Sequence, residues 1–502
     1  MSKYDNEYQK VLLQKYFEEN TVSDLHIKSF DKFIDSGIQR VVDEVVEIQP
    51  DIIPPSLENF KIKLGKIWVK KPKFKDSDGA MRDIAPMEAR TRSITYEAPV
   101  YLEMIKVENG IEKEKENVYI GHLPIMLKSK YCYLNGKSRK ELIEMNEDPD
   151  DPGGYFIING TERVVVIVED LAPNKLFVEE DTKSRTVEYI GKIFSEDGRF
   201  RIPHVIEKNK DGRVYVSFTR VKKIPFAVVM KALGVTKDKD IVTAVSADEK
   251  FSSDLFINLH EGREVKTQED ALEYIANKLK LAYKKQKRIK RIKNIIDRFL
   301  LPHIGNGKKD RELKAHFLGK AVKKLLLISY NELEIDDKDH YANKRLRLSG
   351  DLMESLFRFV FRMLVGDVKY NFERLVKRGK YPIFQAVTRS QLLTSRLRSA
   401  LATGEWVGNR HGISQHIERL NYFATISHLR RVVSLLSSSR ENFEARDLHP
   451  THWGKLCTSE TPEGQNIGLR KNLASTCEVT ISELSEKTLL KSIEKAGLKI
   501  EG

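Results

Sequence analysis

Between Leu12 and Ile34 the apolar residues return every three or four positions: Leu12, Leu13, Tyr16 and Phe17, then Ile27, Phe30, Phe33 and Ile34, with charged residues between them. That spacing stacks them on one face of a helix and predicts amphipathic helices. At Phe60 the period falls to two. Phe60-Lys61-Ile62-Lys63-Leu64 alternates strictly, as a strand buried on one side does. The run YFIINGTERVVVIVE, Tyr155 to Glu169, is apolar on both sides of Asn159-Gly160, a pair that tolerates the positive φ angles of a tight turn. A hairpin is predicted there.

Further short strands, Val214 to Val221 among them, alternate with charged turns such as Lys210-Asp211-Gly212. From Thr267 to about Tyr330 the spacing is helical again, and from Asp351 to Arg378 the residues Leu352, Leu356, Phe359, Val360 and Met363 mark one apolar stripe. Near the end a strand is expected from Cys477 to Ile481, and a short amphipathic helix from Leu484 to Ala496. A lone strand at an edge needs a neighbour, so a partner chain is expected to continue the structure there. The pattern as a whole is α+β and multidomain, since one hydrophobic core does not grow to 502 residues.

Charge adds a direction. Lys and Arg number 87 against 73 Asp and Glu, a formal net charge of +14, which favours an anionic partner such as nucleic acid. Seven basic residues fall between Lys284 and Lys293 without an acid. They read first as the solvated face of a helix whose core stripe is Tyr283, Ile289, Ile292, Ile295 and Ile296, and more sharply as a phosphate-facing ridge, and one helix can be both. The three cysteines, Cys132, Cys457 and Cys477, lie far apart and form no CxxC pair, which speaks against a disulfide framework and a zinc ribbon. A reducing, cytoplasmic setting is expected. No apolar stretch approaches the length of a membrane span.

Several chemistries lack their residues. There is no GxxxxGK[ST] loop, no GxSxG elbow and no HExxH helix. Asp76-Ser77-Asp78-Gly79 begins like a calcium loop but lacks the later ligands and reads as a turn. His449, His452 and Cys457 have no standard zinc spacing. The acidic run Glu147-Asp148-Pro149-Asp150-Asp151 is broken by proline and reads as a solvated loop rather than a two-metal cluster. The chain is expected to carry no catalytic site and to bind no metal of its own.

The stretch RDLHPTHWGKLCTSETPEGQNIGLRKNLA, Arg446 to Ala474, closely resembles the fork region of the second-largest, β-like subunit of cellular RNA polymerases. GHLPIMLKSKYCYLNG (Gly121 to Gly136), GGYFIINGTERVVV (Gly153 to Val166) and DKDHYANKRLRLSGDLM (Asp337 to Met353) agree in order. PMEARTRSITYEAPVYLE (Pro86 to Glu103) resembles the archaeal and eukaryotic branch. In that family some archaea divide the subunit into two polypeptides, and this chain resembles the first, B''. The resemblance implies a protrusion at 1–170 and 353–402, a lobe at 171–352, a fork at 403–480 and, at 481–502, the start of a region continued on a partner chain.

Its further implications are partners and sites. The partners are the second half of the subunit (B'), the halves of the largest subunit (A' and A''), other polymerase subunits, template DNA and the RNA transcript, with no membrane. Mg²⁺ belongs at the active site on the largest subunit and Zn²⁺ on other subunits. Gln415, His428, Arg430, Arg431, Arg440 and Arg446 are assigned to the surface lining the RNA–DNA hybrid or the active centre. Guanidinium groups fork onto phosphate oxygens, while Gln and His reach sugars and base edges. Glu463 and Gly464 lie where the family's fork meets downstream DNA and incoming substrate. The other reading of Arg430 and Arg431 is that they brace the fold through local carboxylates. Glu418 and Val433 stand where the bacterial rifamycin pocket has Asp and Ser, so the resemblance does not carry that pocket over. Two classes of function stay open: a polymerase subunit, and a non-enzymatic nucleic-acid-binding scaffold or degenerate relative.

Overall fold

The computed structural model describes residues 3–76, 80–182, 184–199, 201–281, 284–380, 384–439, 442–481 and 486–497. Ser77 to Gly79 of the calcium-like turn, Tyr283, Arg440 and the start of the helix expected from Leu484 lie outside the described residues. Two compact units divide the chain: Met1–Asp170 with Leu346–Gly502, and Leu171–Arg345.

In the first unit a four-stranded antiparallel sheet runs in the order Glu47–Ile48, Phe60–Val69, Glu97–Glu108, Ile111–Pro124. The alternating residues Phe60 and Ile62 are buried and Lys63 is exposed, as a period of two requires. Phe60 stacks on Phe372 of the 29-residue helix Ser349–Lys377, ring centroids 4.6 Å apart. That helix buries Leu352, Leu356 and Val360 as the stripe predicts, together with Met353, Phe357, Phe361 and Leu364. Phe359 is 50% exposed, and Met363 is only half-buried. The core-facing surface lies one position away from them, because a helix at 3.6 residues per turn carries i+3 and i+4 neighbours but not a whole cluster.

The same helix meets Asp24–Lys32 at Gly350, where an added Cβ would lie 2.0 Å from the Ser29 carbonyl oxygen. Gly350 N–H donates to Ser29 Oγ (3.0 Å) and Ser349 Oγ donates to the His26 carbonyl (3.2 Å). Only glycine lets the backbones approach this closely.

Asn159 (φ 50°) and Gly160 (φ 76°) turn the predicted hairpin between Phe156–Ile158 and Thr161–Val165. The apolar run is longer than that hairpin, and its last part does not belong to it. After Val165 the chain changes sheets, and Ile167–Leu171 pairs in parallel with Arg431–Ser434. A continuous apolar run conceals the break because both pieces are buried.

The second unit is an antiparallel meander of five strands in sequence order, Leu176–Glu180 to Val221–Pro225, packed with the helices from Phe226–Leu233 to Arg311–Ser329. Val214 to Val221 spans one strand of that meander, Val214–Phe218, the turn at Thr219 (φ 47°) and the first residue of the next strand, Val221–Pro225. In the helix Lys285–Phe299, Ile292 and Ile296 are buried, while Lys285 and Arg288 pair with Glu273.

Cys477 to Ile481 do not form the expected strand. Side chains take carbonyls that a ladder would have used: Arg430 holds the Cys477 oxygen and Lys32 the Ile481 oxygen. The helix after it is Glu486–Lys495. Among the described residues no helix is long and apolar enough to cross a membrane, and no three His, Cys, Asp or Glu side chains converge as a metal site.

Candidate nucleic-acid interface

Ser414–His416 adds a third strand to the hairpin, pairing Gln415 with Val164 and His416 with Arg163. The chain then enters the helix Tyr422–Leu429, whose N-cap Asn421 accepts the Ala424 N–H (2.8 Å), and leaves it in the strand Arg431–Ser434. This strand lies between Ile167–Leu171 and Arg470–Asn472. Two sheets therefore hold both ends of one short helix. A buried pair, Lys471 with Glu169 at 3.1 Å, ties the outer strands together across it.

Gln415, His428 and Arg431 come together around Glu418. His428 is buried, and its Nδ1 accepts the Glu418 N–H (3.1 Å), so its proton is on Nε2, which donates to Gln415 Oε1 (3.0 Å). Gln415 Nε2 donates to the Gly412 carbonyl. Arg431 Nη1 lies 3.1 Å from the Glu418 carboxylate, and this hydrogen bond holds the Glu418 carboxyl below its usual range. Burial, with the Arg431 charge adding to it, pushes His428 down to about 4.

Arg430 lies apart from that cluster. It donates to the Ala474 (2.6 Å) and Cys477 (3.0 Å) carbonyls. The backbone of its predecessor Leu429 accepts a hydrogen bond from buried His26 Nε2 at 2.6 Å. Arg446 donates to the Ser438, Gln465 and Ile467 carbonyls at 2.7–2.9 Å. Gly468 (φ 69°) makes room for this, since a Cβ there would lie 2.2 Å from the Arg446 carbonyl oxygen. Arg446 thus braces the turn that carries Glu463 and Gly464, both exposed, with Gly464 at φ 77°. Among the described residues no cation pairs with Glu463. Arg440 lies outside the described residues.

The acidic run near Glu147 is a solvated loop only in part: Asp148 and Asp150 are exposed, while Glu147 and Asp151 at its ends are drawn into an ion-pair network. Glu147 is buried, accepts the Met87 N–H and pairs with Arg90 (2.8 Å). Arg90 also reaches Glu162 and the Tyr155 hydroxyl, each at 2.8 Å. Arg419 closes the network from the other side through Glu162 (2.7 Å) and Asp151 (2.8 Å), its guanidinium 4.9 Å from the Tyr155 ring centroid. Burial works to raise the Glu162 carboxyl, but the Arg419 hydrogen bond and the two cations leave it below its usual range. Two arginines and three carboxylates join the strand pair under Gln415 to the loop before Tyr155. The sequence signal was only that Arg419 follows Glu418, with nothing to connect it to residues some 250 positions earlier.

His26 is pushed down to about 4 by burial, as His428 is. Its Nδ1 has no hydrogen-bond partner among the described residues, and a proton on His428 Nδ1 would oppose the Glu418 N–H donor. Both folded values lie below the ordinary 6.5, so the unfolded chain takes up protons first. Their stabilisation is complete above about pH 6.5 and is lost as pH falls toward 4. Each is expected to remove about 2 kcal/mol between pH 7.5 and pH 5, visible in denaturant midpoints at the two values. His26→Gln should abolish its share of that difference.

Residues 21–395 match the family model described as RNA polymerase beta subunit, and residues 415–479 match RNA polymerase Rpb2, domain 3. The chain belongs to the RNA polymerase beta-subunit family. Among its relatives is DNA-directed RNA polymerase subunit Rpo2N of Methanocaldococcus jannaschii, 46% identical over an alignment of 491 positions that covers 96% of this chain and 98% of the relative. Subunit Rpo2N of Halobacterium salinarum is 41% identical over 98% of this chain and 96% of the relative. Subunit Rpo2 of Saccharolobus shibatae is 44% identical over 97% of this chain, which spans only 43% of that relative's length.

Proposed function

We propose that this chain is the N-terminal half, B'', of the second-largest subunit of an archaeal-type DNA-directed RNA polymerase. It forms one side of the cleft holding DNA and the RNA–DNA hybrid, and its fork stands beside the active centre for template-directed RNA synthesis. The observation that carries this reading is the near end-to-end match to Rpo2N relatives, set beside the less than half-length match to undivided Rpo2. In the proposal, 1–170 with 353–402 is the protrusion, 171–352 the lobe and 403–480 the fork. The separate compact unit Leu171–Arg345 supports an inserted lobe.

The chain contributes grip and shape, in the cytoplasm, to chemistry carried elsewhere. Mg²⁺ is held by the largest subunit and Zn²⁺ by other subunits. Gln415 and Arg431 are set by His428 and Glu418 before nucleic acid arrives, so little side-chain freedom is lost on binding. A phosphate can replace the half-exposed Glu418 as the partner of Arg431 without moving the guanidinium far. Arg430 and Arg446 act by positioning the chain around this surface. Glu463 stands toward substrate and downstream DNA.

Exposed apolar side chains support covering by other subunits. Leu420 is 89% and Phe423 81% exposed, Val11 and Leu12 lie outward on the helix Lys3–Glu19, and Leu489 and Leu490 on Glu486–Lys495. Such surface is unusual on a chain that acts alone. The partners proposed are B', A', A'' and other polymerase subunits. Co-expressed with B', the tagged chain is expected to purify in a stoichiometric complex and to unfold at higher temperature than alone. Equal melting profiles and no complex would favour the free nucleic-acid-binding scaffold.

A further inference from the structure

In the second unit a groove of about 1040 Å³ lies outside the proposed hybrid surface. It is bounded by the helix Ser252–Glu261, the loop entering the helix Asp238–Val245 and the loop Gly262–Lys266. The helix turns Leu255 and Leu259 toward the core. Phe256 and Ile257 face outward, 67% and 40% exposed. Buried Asn258 fixes this edge: it accepts the Val214 N–H and donates to the Gly212 carbonyl, docking the turn between two strands onto the helix.

The lining is basic. Arg213, Lys231, Lys237, Arg263 and Lys266 face Asp238 and Glu261, leaving three positive charges in excess. Lys231 is already used, donating to the Gly262 and Val265 carbonyls. Lys237 and Lys266 are exposed, and among the described residues no carboxylate pairs with either. An aromatic and an aliphatic side chain beside unneutralised lysines are complementary to a segment that is acidic and apolar at once. Asp238 and Glu261 are already paired with Lys231 and Arg213 (3.5 Å each), and a phosphate backbone offers nothing apolar to cover the exposed Phe256 and Ile257, so it fits less well than a peptide.

We propose that this groove docks an acidic peptide segment of a partner protein, inserting an aliphatic or aromatic side chain against Phe256 and Ile257 while its carboxylates meet Lys237, Arg263 and Lys266.

The test uses the full chain in complex with B' and a fluorescein-labelled peptide alternating Asp/Glu with Leu/Phe, followed by anisotropy. Lys237→Glu with Lys266→Glu is expected to weaken binding about tenfold or more, and added KCl to weaken binding to the parent. Phe256→Ser is expected to weaken it about tenfold at unchanged salt dependence. All three positions are exposed, so melting temperatures should match the parent. The proposal is overturned if a Lys-for-acid version of the peptide binds as tightly, or if the variants bind like the parent. It is equally overturned if oligothymidylate binds the groove more tightly than the peptide and Phe256→Ser leaves that binding intact.

Discussion

Arg90→Ala is expected to destabilise the first unit by about 3–5 kcal/mol, the largest effect of any single change considered, measured as a shift in urea midpoint. The variant leaves Glu147, Glu162 and Asp151 with Arg419 as the one remaining cation of the network. Glu147 is buried, so bulk solvent compensates poorly for the lost partner. Arg90→Lys should recover little, since one ammonium cannot satisfy Glu147, Glu162 and the Tyr155 hydroxyl in the fork geometry that the guanidinium provides. A loss under about 1 kcal/mol would mean that solvent screens the pair as it does at a surface.

The second large effect separates grip from bracing. In the reconstituted polymerase, Arg431→Ala is expected to shorten elongation-complex lifetimes on every sequence alike and to reduce the salt slope by about one unit, the signature of one lost phosphate contact. Arg446→Ala should behave differently. It removes charge-assisted hydrogen bonds to three carbonyls, about 1.5–3 kcal/mol for such a bond, and frees the turn that presents Glu463. Reduced nucleotide addition with an unchanged salt slope is the expected outcome. Complex half-life against KCl concentration, beside an assembly control, distinguishes the two variants. Wild-type lifetimes at every salt level for Arg431→Ala would remove it from the hybrid surface.

How much of this was legible in the chain depends on the range of the forces involved. The hairpin at Asn159-Gly160 and the long helix after Leu348 rest on local rules, backbone sterics and helical periodicity, and both stand in the structure. Val165 to Ile167 changes sheets because of partners that arrive some 250 residues later, which an apolar run cannot announce. Asp148 and Asp150 are solvated as their run reads, but Glu147 and Asp151 are not, because their cations, Arg90 and Arg419, are distant in sequence. The nominated residues Gln415, His428 and Arg431 do converge, but through Glu418, and Arg430 and Arg446 are spent on carbonyls. Residue type told which groups could hold a phosphate. Which of them the fold already occupies is a tertiary matter.

The central claim is that this chain is an indispensable, non-catalytic part of a polymerase. It is tested most directly by RNA extension on a primed DNA template with NTPs and Mg²⁺, comparing the chain alone, the remaining subunits alone and the two combined. The account predicts transcript only in the combination. RNA synthesis by the chain alone, or full activity of the remaining subunits without it, would contradict it.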